Sequence, residues 1–329
     1  MPNYLRALSP GTQRTLIAMR RELYSGSGHL GLTGMRTGAT NHDGLNVHWY
    51  ECGPESPEAL TVLYVHGFNI SSQSFYMQVR ALQHLPVRQL LVDYRGHGLT
   101  ADQGADLSVD AAADDIIAVV RGRGITGPVI VVGHSLGGPV SLSLMRRYAG
   151  ELNLAGSVQI SSSVDPFTDR GMPQALGGTA GAALYRMVQA LPILSESVRV
   201  VVTETLAPVL AVGFYAPGMS WDVVEFHAAM IQETPLDTYS GFFDDLRDHD
   251  ERAAADVLAT IPGFILVGDI DTVTPVSQSQ ELHKLWPQAK FQVLPGSGHM
   301  PPLDAPGAVT TAIRRLVDPL IDKSEDQAP

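Results

Sequence analysis

Ten residues near the middle of the chain constrain its fold more than any others: Val129-Ile130-Val131-Val132-Gly133-His134-Ser135-Leu136-Gly137-Gly138. An apolar run of strand length ends on a glycine, and a serine follows with glycines two places before and two places after it. A helical apolar pattern then begins. Such a run is a strand covered on both faces, which requires helices packed on both sides of a mostly parallel sheet. The serine sits where strand turns sharply into helix, a strained position that tolerates only small neighbours. Pro139 falls in the first helical turn, where a missing N–H costs little.

The rest of the chain alternates in the same way. Runs at 61–65, 89–93, 154–160, 264–267 and 291–294 read as further strands, with 45–50 as an earlier, outer one. Apolar residues at helical spacing (Val109, Ala112, Ala113, Ile116, Ile117, Val120) predict a helix capped by Ser108. A second such helix spans 308–320 with Asp304 as its cap, and a third spans 71–84 with Phe75, Val79 and Leu82 inward. This is an α/β fold. The stretch 163–255 breaks the alternation and is far too long for a loop, so it is expected to be an inserted helical cap. The core is then 41–162 plus 256–321, with an N-terminal extension (1–40) and a C-terminal tail (322–329).

Several segments share one order and one context. They are Val65-His66-Gly67-Phe68, Asp93-Tyr94-Arg95-Gly96-His97-Gly98, Gly133-His134-Ser135-Leu136-Gly137, Gly268-Asp269-Ile270-Asp271-Thr272-Val273-Thr274-Pro275 and Gly296-Ser297-Gly298-His299. Together they resemble the α/β-hydrolase superfamily over roughly residues 45 to 320, a set specific for the fold and weak for the substrate. The resemblance implies Ser135 as nucleophile, Asp271 as acid and His299 as base, in that chain order. It implies an oxyanion hole from the backbone N–H groups of Phe68 and Leu136, where one donor is worth about 3 kcal/mol of transition-state stabilisation. Asp269 is left to turn hydrogen bonds. His66 and His97 are read as structural, and His134 either lines the pocket or packs behind it. Asn69, Phe214, Trp221, His227 and Met300 complete the expected substrate pocket, although a solvent-facing helix explains Glu225 and His227 equally well.

The expected reaction is hydrolysis of a carboxylic ester with a hydrophobic acyl or alcohol part, through an acyl-enzyme. Thioesters, lactones, carbon–carbon bonds and cofactor-free perhydrolysis of the haloperoxidase kind use the same three residues and stay open. A non-turnover receptor or scaffold on this fold is the alternative of another class. Epoxide opening and halide displacement need an Asp nucleophile, which Ser135 replaces.

Composition narrows the partners. Net charge is −12, which argues against nucleic acid and anionic lipid surfaces. One cysteine, Cys52, allows no intramolecular disulfide and no cysteine-based zinc site. No other metal-ligand spacing or phosphate loop stands out, so neither metal nor cofactor is expected. The longest early apolar run, 16–19, is too short for a signal peptide, and 206–214 is too short to span a bilayer. A soluble, cytoplasmic protein acting on a small molecule is the expectation, with no sequence feature indicating a homo-oligomer.

Overall fold

The computed structural model describes residues 30–166, 169–170, 213–216 and 218–325. Among the described residues eight strands form one sheet: β1 (Arg36–His42), β2 (Leu45–Cys52), β3 (Thr61–Val65), β4 (Arg88–Asp93), β5 (Val129–His134), β6 (Leu154–Ile160), β7 (Gly263–Gly268) and β8 (Lys290–Leu294). Their order is β1-β2-β4-β3-β5-β6-β7-β8. β2 runs antiparallel to both β1 and β4, and every other pairing is parallel.

The central strands alternate between two cores. Leu63, Val65, Val129 and Val131 face one apolar cluster, and Val62, Tyr64, Ile130 and Val132 face the other. The first cluster is closed by α2 (Val109–Gly122) and α3 (Gly137–Arg147). The second is closed by α1 (Tyr76–Leu82) and α9 (Pro306–Glu325). A strand's period of two is what lets a single run feed both layers. Ser108 caps α2 as expected, its hydroxyl accepting from the Ala111 N–H at 3.2 Å.

Four expectations need correction. The boundary at 40/41 falls inside β1, because Asp43 and Gly44, both at positive φ, close a tight hairpin that adds a strand outside β2. The tail begins later than 322, since α9 continues to Glu325. The helix over 71–84 is a 3-10 turn, Ser72–Phe75, followed by α1. Asp304 does not cap α9. It ends the short α8 (Pro301–Asp304), and its carboxylate accepts from the Ser297 hydroxyl and from the Gly298 N–H at 2.8 Å.

Between β6 and β7 the described residues hold α4 (Trp221–Glu233), α5 (Leu236–Asp248) and the short α6 (Ala255–Leu258). α4 buries Val223, Val224, Phe226 and Met230 against Ile70, which follows β3, and Met300 and Leu303, which follow β8. It therefore lies over the carboxyl ends of the strands. The apolar residues Leu191, Ile193, Leu194, Leu206, Val209 and Leu210, read as part of the cap, lie outside the described residues. α7 (Val276–Leu285) joins β7 to β8. Among the described residues no helix is long and apolar enough to cross a membrane.

Candidate active site

The carboxyl ends of β3 and β5 lie side by side, with Val65 opposite Gly133. The chain leaves β3 for β4 on one side and returns to β5 on the other, so this is the crevice where open α/β sheets bind ligands. Ser135 stands at the turn from β5 into α3 with φ 52°, the left-handed region. A side chain at Gly137 would place a Cβ 2.1 Å from the Val65 carbonyl oxygen, and one at Gly133 would lie 2.6 Å from that of Gly137. The two glycines thus leave space for the turn that lifts the Ser135 hydroxyl over the crevice.

His299 and Asp271 arrive from the carboxyl ends of β8 and β7. The Ser135 Oγ lies 2.9 Å from His299 Nε2, and His299 Nδ1 lies 2.9 Å from Asp271 Oδ2. An ionised carboxylate can only accept, so Nδ1 carries the proton and Nε2 accepts from the serine. Asp271 is almost fully buried, which alone would raise its pKa. Electrostatic attraction to the His299 ring and its hydrogen bond outweigh burial, and the carboxyl ends below its usual range. The arrangement suits proton transfer from a hydroxyl to an imidazole whose charged form a carboxylate stabilises.

The loop after β3 approaches closely. A Cβ at Gly67 would sit 3.1 Å from the Ser135 Cβ. Phe68 follows, its ring edge-on to His97, Tyr239 and Phe242. Among the described residues neither the Phe68 N–H nor the Leu136 N–H has an acceptor. Both donors are therefore uncommitted.

The remaining expected residues divide. His134 packs behind the site: its Nε2 donates to the His299 carbonyl at 2.8 Å, and burial holds it neutral, with a pKa lowered to about 3. Phe214 is in place, accepting from the His299 N–H at 2.8 Å while its ring stands 5.8 Å from that imidazole. His227 is buried on α4 with its ring 5.4 Å from Phe214. Met300 is buried in the apolar cluster under α4. Asn69 adopts φ 61° with its Oδ1 buried. Trp221 does not join them: its side of α4 faces solvent, the residue is 53% exposed, and the indole N–H donates to Glu225 at 2.7 Å.

Asp269, His66 and His97 have the structural places expected. Asp269 accepts from the Gly296 N–H at 2.8 Å. The His66 ring stacks on Tyr94, and His97 Nδ1 bonds the Arg95 carbonyl at 3.0 Å.

Sequence reasoning missed Thr274. Its hydroxyl lies 2.9 Å from the Ser161 carbonyl, 3.0 Å from Asp271 Oδ2 and 3.2 Å from His299 Nδ1. Its N–H and that of Val273 both donate to Asp271 Oδ1 at 2.9 Å. The available signal was an Asp two and three residues before those amides, the spacing of a side chain that caps its own turn.

Asp110, His249 and Glu251 could together offer ligand atoms to a metal ion. Their charge is already matched, because Arg146 lies 3.1 Å from Glu251 and 3.6 Å from Asp110.

Comparison with known proteins bears on the family and the fold. The model of the "Alpha/beta hydrolase family" matches residues 62–312. The mouse sn-1-specific diacylglycerol lipase ABHD11 is 23% identical over 253 residues, covering 74% of this chain and 76% of its own. A non-heme haloperoxidase of Rhodococcus erythropolis is 26% identical over 269 residues, covering 79% and 91%. In structure, a thermophilic esterase of Thermogutta terrifontis superposes with a TM-score of 0.67 at 23% identity, covering 87% of this chain and 98% of its own. With the family's motifs, its sheet order and a match across most of the length, this chain belongs to the alpha/beta hydrolase family.

Proposed function

We propose that the protein is a serine hydrolase that cleaves carboxylic esters through an acyl-enzyme. The observation that carries this reading is the continuous hydrogen-bonded line Ser135–His299–Asp271 across three loops. His299 takes the hydroxyl proton as Ser135 Oγ attacks the ester carbonyl. Asp271 holds the ring in the tautomer that can accept that proton. The oxyanion rests on the Phe68 and Leu136 N–H groups. The alcohol leaves with the proton from His299, and water, activated by the same imidazole, releases the acid. The apolar cluster under α4 favours a substrate with a hydrophobic acyl or alcohol part, at about 0.8 kcal/mol per buried methylene.

The test is hydrolysis of p-nitrophenyl esters graded in acyl length, with Ser135→Ala beside the wild type. The expected result is a chain-length optimum and a roughly 10⁶-fold lower kcat in the variant. Ester cleavage retained by Ser135→Ala would end the proposal. A second reading is perhydrolysis, favoured by the likeness to a haloperoxidase over 79% of this chain. There hydrogen peroxide replaces water on the acyl-enzyme and releases a peroxyacid, so adding peroxide to the same assay separates the two.

A further inference from the structure

α4 buries a polar side chain among apolar ones. His227 is only 2% exposed, between Val223, Val224, Phe226 and Met230, which are also buried. Its Nδ1 is buried with no hydrogen-bond partner among the described residues. The ring stands edge-on to Tyr215 at 5.5 Å and to Phe214 at 5.4 Å. Phe214 in turn flanks the His299 ring and accepts the His299 N–H. An unpaired nitrogen is thus held one aromatic ring away from the imidazole that contacts Ser135.

Packing alone does not account for it. A buried polar group left unpaired costs about 1–3 kcal/mol, and Leu or Phe would fill the same space without that cost. Burial, reinforced by the neighbouring His299, lowers the His227 pKa to about 3, so the ring is neutral. A neutral imidazole nitrogen either donates or accepts, according to tautomer. A hydroxyl can do both and satisfies Nδ1 in either case. A carboxylate would place an uncompensated charge in an apolar cluster.

We infer that His227 binds a hydroxyl carried by the substrate, so that the preferred ester is mostly apolar with a free hydroxyl a few bonds from the scissile carbonyl. This rests on the reading of Ser135 as the nucleophile. His227 determines specificity here and takes no part in bond making.

Two matched pairs test it: glyceryl monobutyrate against propyl butyrate, and ethyl 3-hydroxybutyrate against ethyl butyrate. They place the hydroxyl on the alcohol or on the acyl side. The expected result is a kcat/KM ratio of about ten or more in one pair for the wild type. That ratio falls to near one in His227→Phe and His227→Leu and is kept in His227→Asn, whose amide can reach the Nδ1 position. Ratios near one in both pairs for the wild type overturn the inference, as does a ratio that survives both apolar variants. The wild-type ratios decide even where a variant fails to fold. Fluorophosphonate labelling separates the two levels. Labelled Ser135 without hydrolysis of either hydroxy ester sinks the inference alone, whereas no labelling and no hydrolysis sinks the nucleophile reading as well.

Discussion

Thr274 shows how much a single hydroxyl can hold in place. It has one proton and two acceptors within reach, Ser161 O and Asp271 Oδ2, and its oxygen also lies beside His299 Nδ1. Removing it leaves Asp271 with its backbone donors but frees the carboxylate to tilt away from the imidazole. Misplacement of a reacting group by about 1 Å can cost roughly a hundredfold in rate. Thr274→Val is therefore expected to lower kcat by about 10- to 100-fold with KM little changed, and Thr274→Ser to restore most of it. Steady-state kinetics on one ester check this, and an equal rise in KM would point to general distortion instead. Ser135 was legible in the sequence because it sits in a glycine-bearing turn after an apolar strand, and Asp271 and His299 were legible through the family resemblance of their loops. Thr274 and the inward turn of His134 were not, because nothing within a few residues of either says which distant carbonyl it will meet.

At the scale of elements, the segment between β6 and β7 is pinned near its two ends. The Glu251 N–H donates to the Val164 carbonyl at 3.0 Å, and Arg252 pairs with Asp165. Glu251 is held by Arg146 and by His249, whose Nε2 lies at 2.8 Å, while His249 Nδ1 faces Asp245 at 3.5 Å. Burial opposes charge on His249, but the bonds to Asp245 and Glu251 prevail and raise its pKa to about 9. A raised histidine pKa stabilises the fold fully below the unfolded value of about 6.5, and the contribution is lost as pH climbs through about 9. His249→Gln is thus expected to cost up to about 3 kcal/mol at pH 6 and almost nothing at pH 10. Urea unfolding at both values checks it, and a cost independent of pH would refute the charge argument. Helices α2 and α9 were readable because each buries one stripe at a period of 3.6. β1 was not: as an edge strand it is largely exposed along its length, so it lacks the apolar run that marks its neighbours.

At the scale of the described molecule, an apolar core lies on each face of the sheet, and the site gathers at the carboxyl ends of the strands between them. Ile313 on α9 is fully buried in the core opposite α3. Ile313→Ala is expected to lower unfolding free energy by about 2–5 kcal/mol. Per active molecule, kcat should stay within about twofold, since Ser135, Asp271 and His299 follow strand ends rather than α9. Denaturation and active-site titration measure the two separately, and a large fall in kcat per labelled serine would show that the second core also sets the site.

Asp271 and His299 came from the family resemblance, while the alternation of strands and helices and the turn around Ser135 followed from the sequence alone. Each depends on forces between neighbours a few residues apart: steric room at a turn, or one buried face repeated at a fixed period. What the tertiary structure decided was direction. Trp221 and His227 lie on the same helix, and both were expected in the pocket. Only the packing of α4 against Ile70, Tyr215 and Met300, residues brought from distant parts of the chain, buries His227 and leaves Trp221 in solvent.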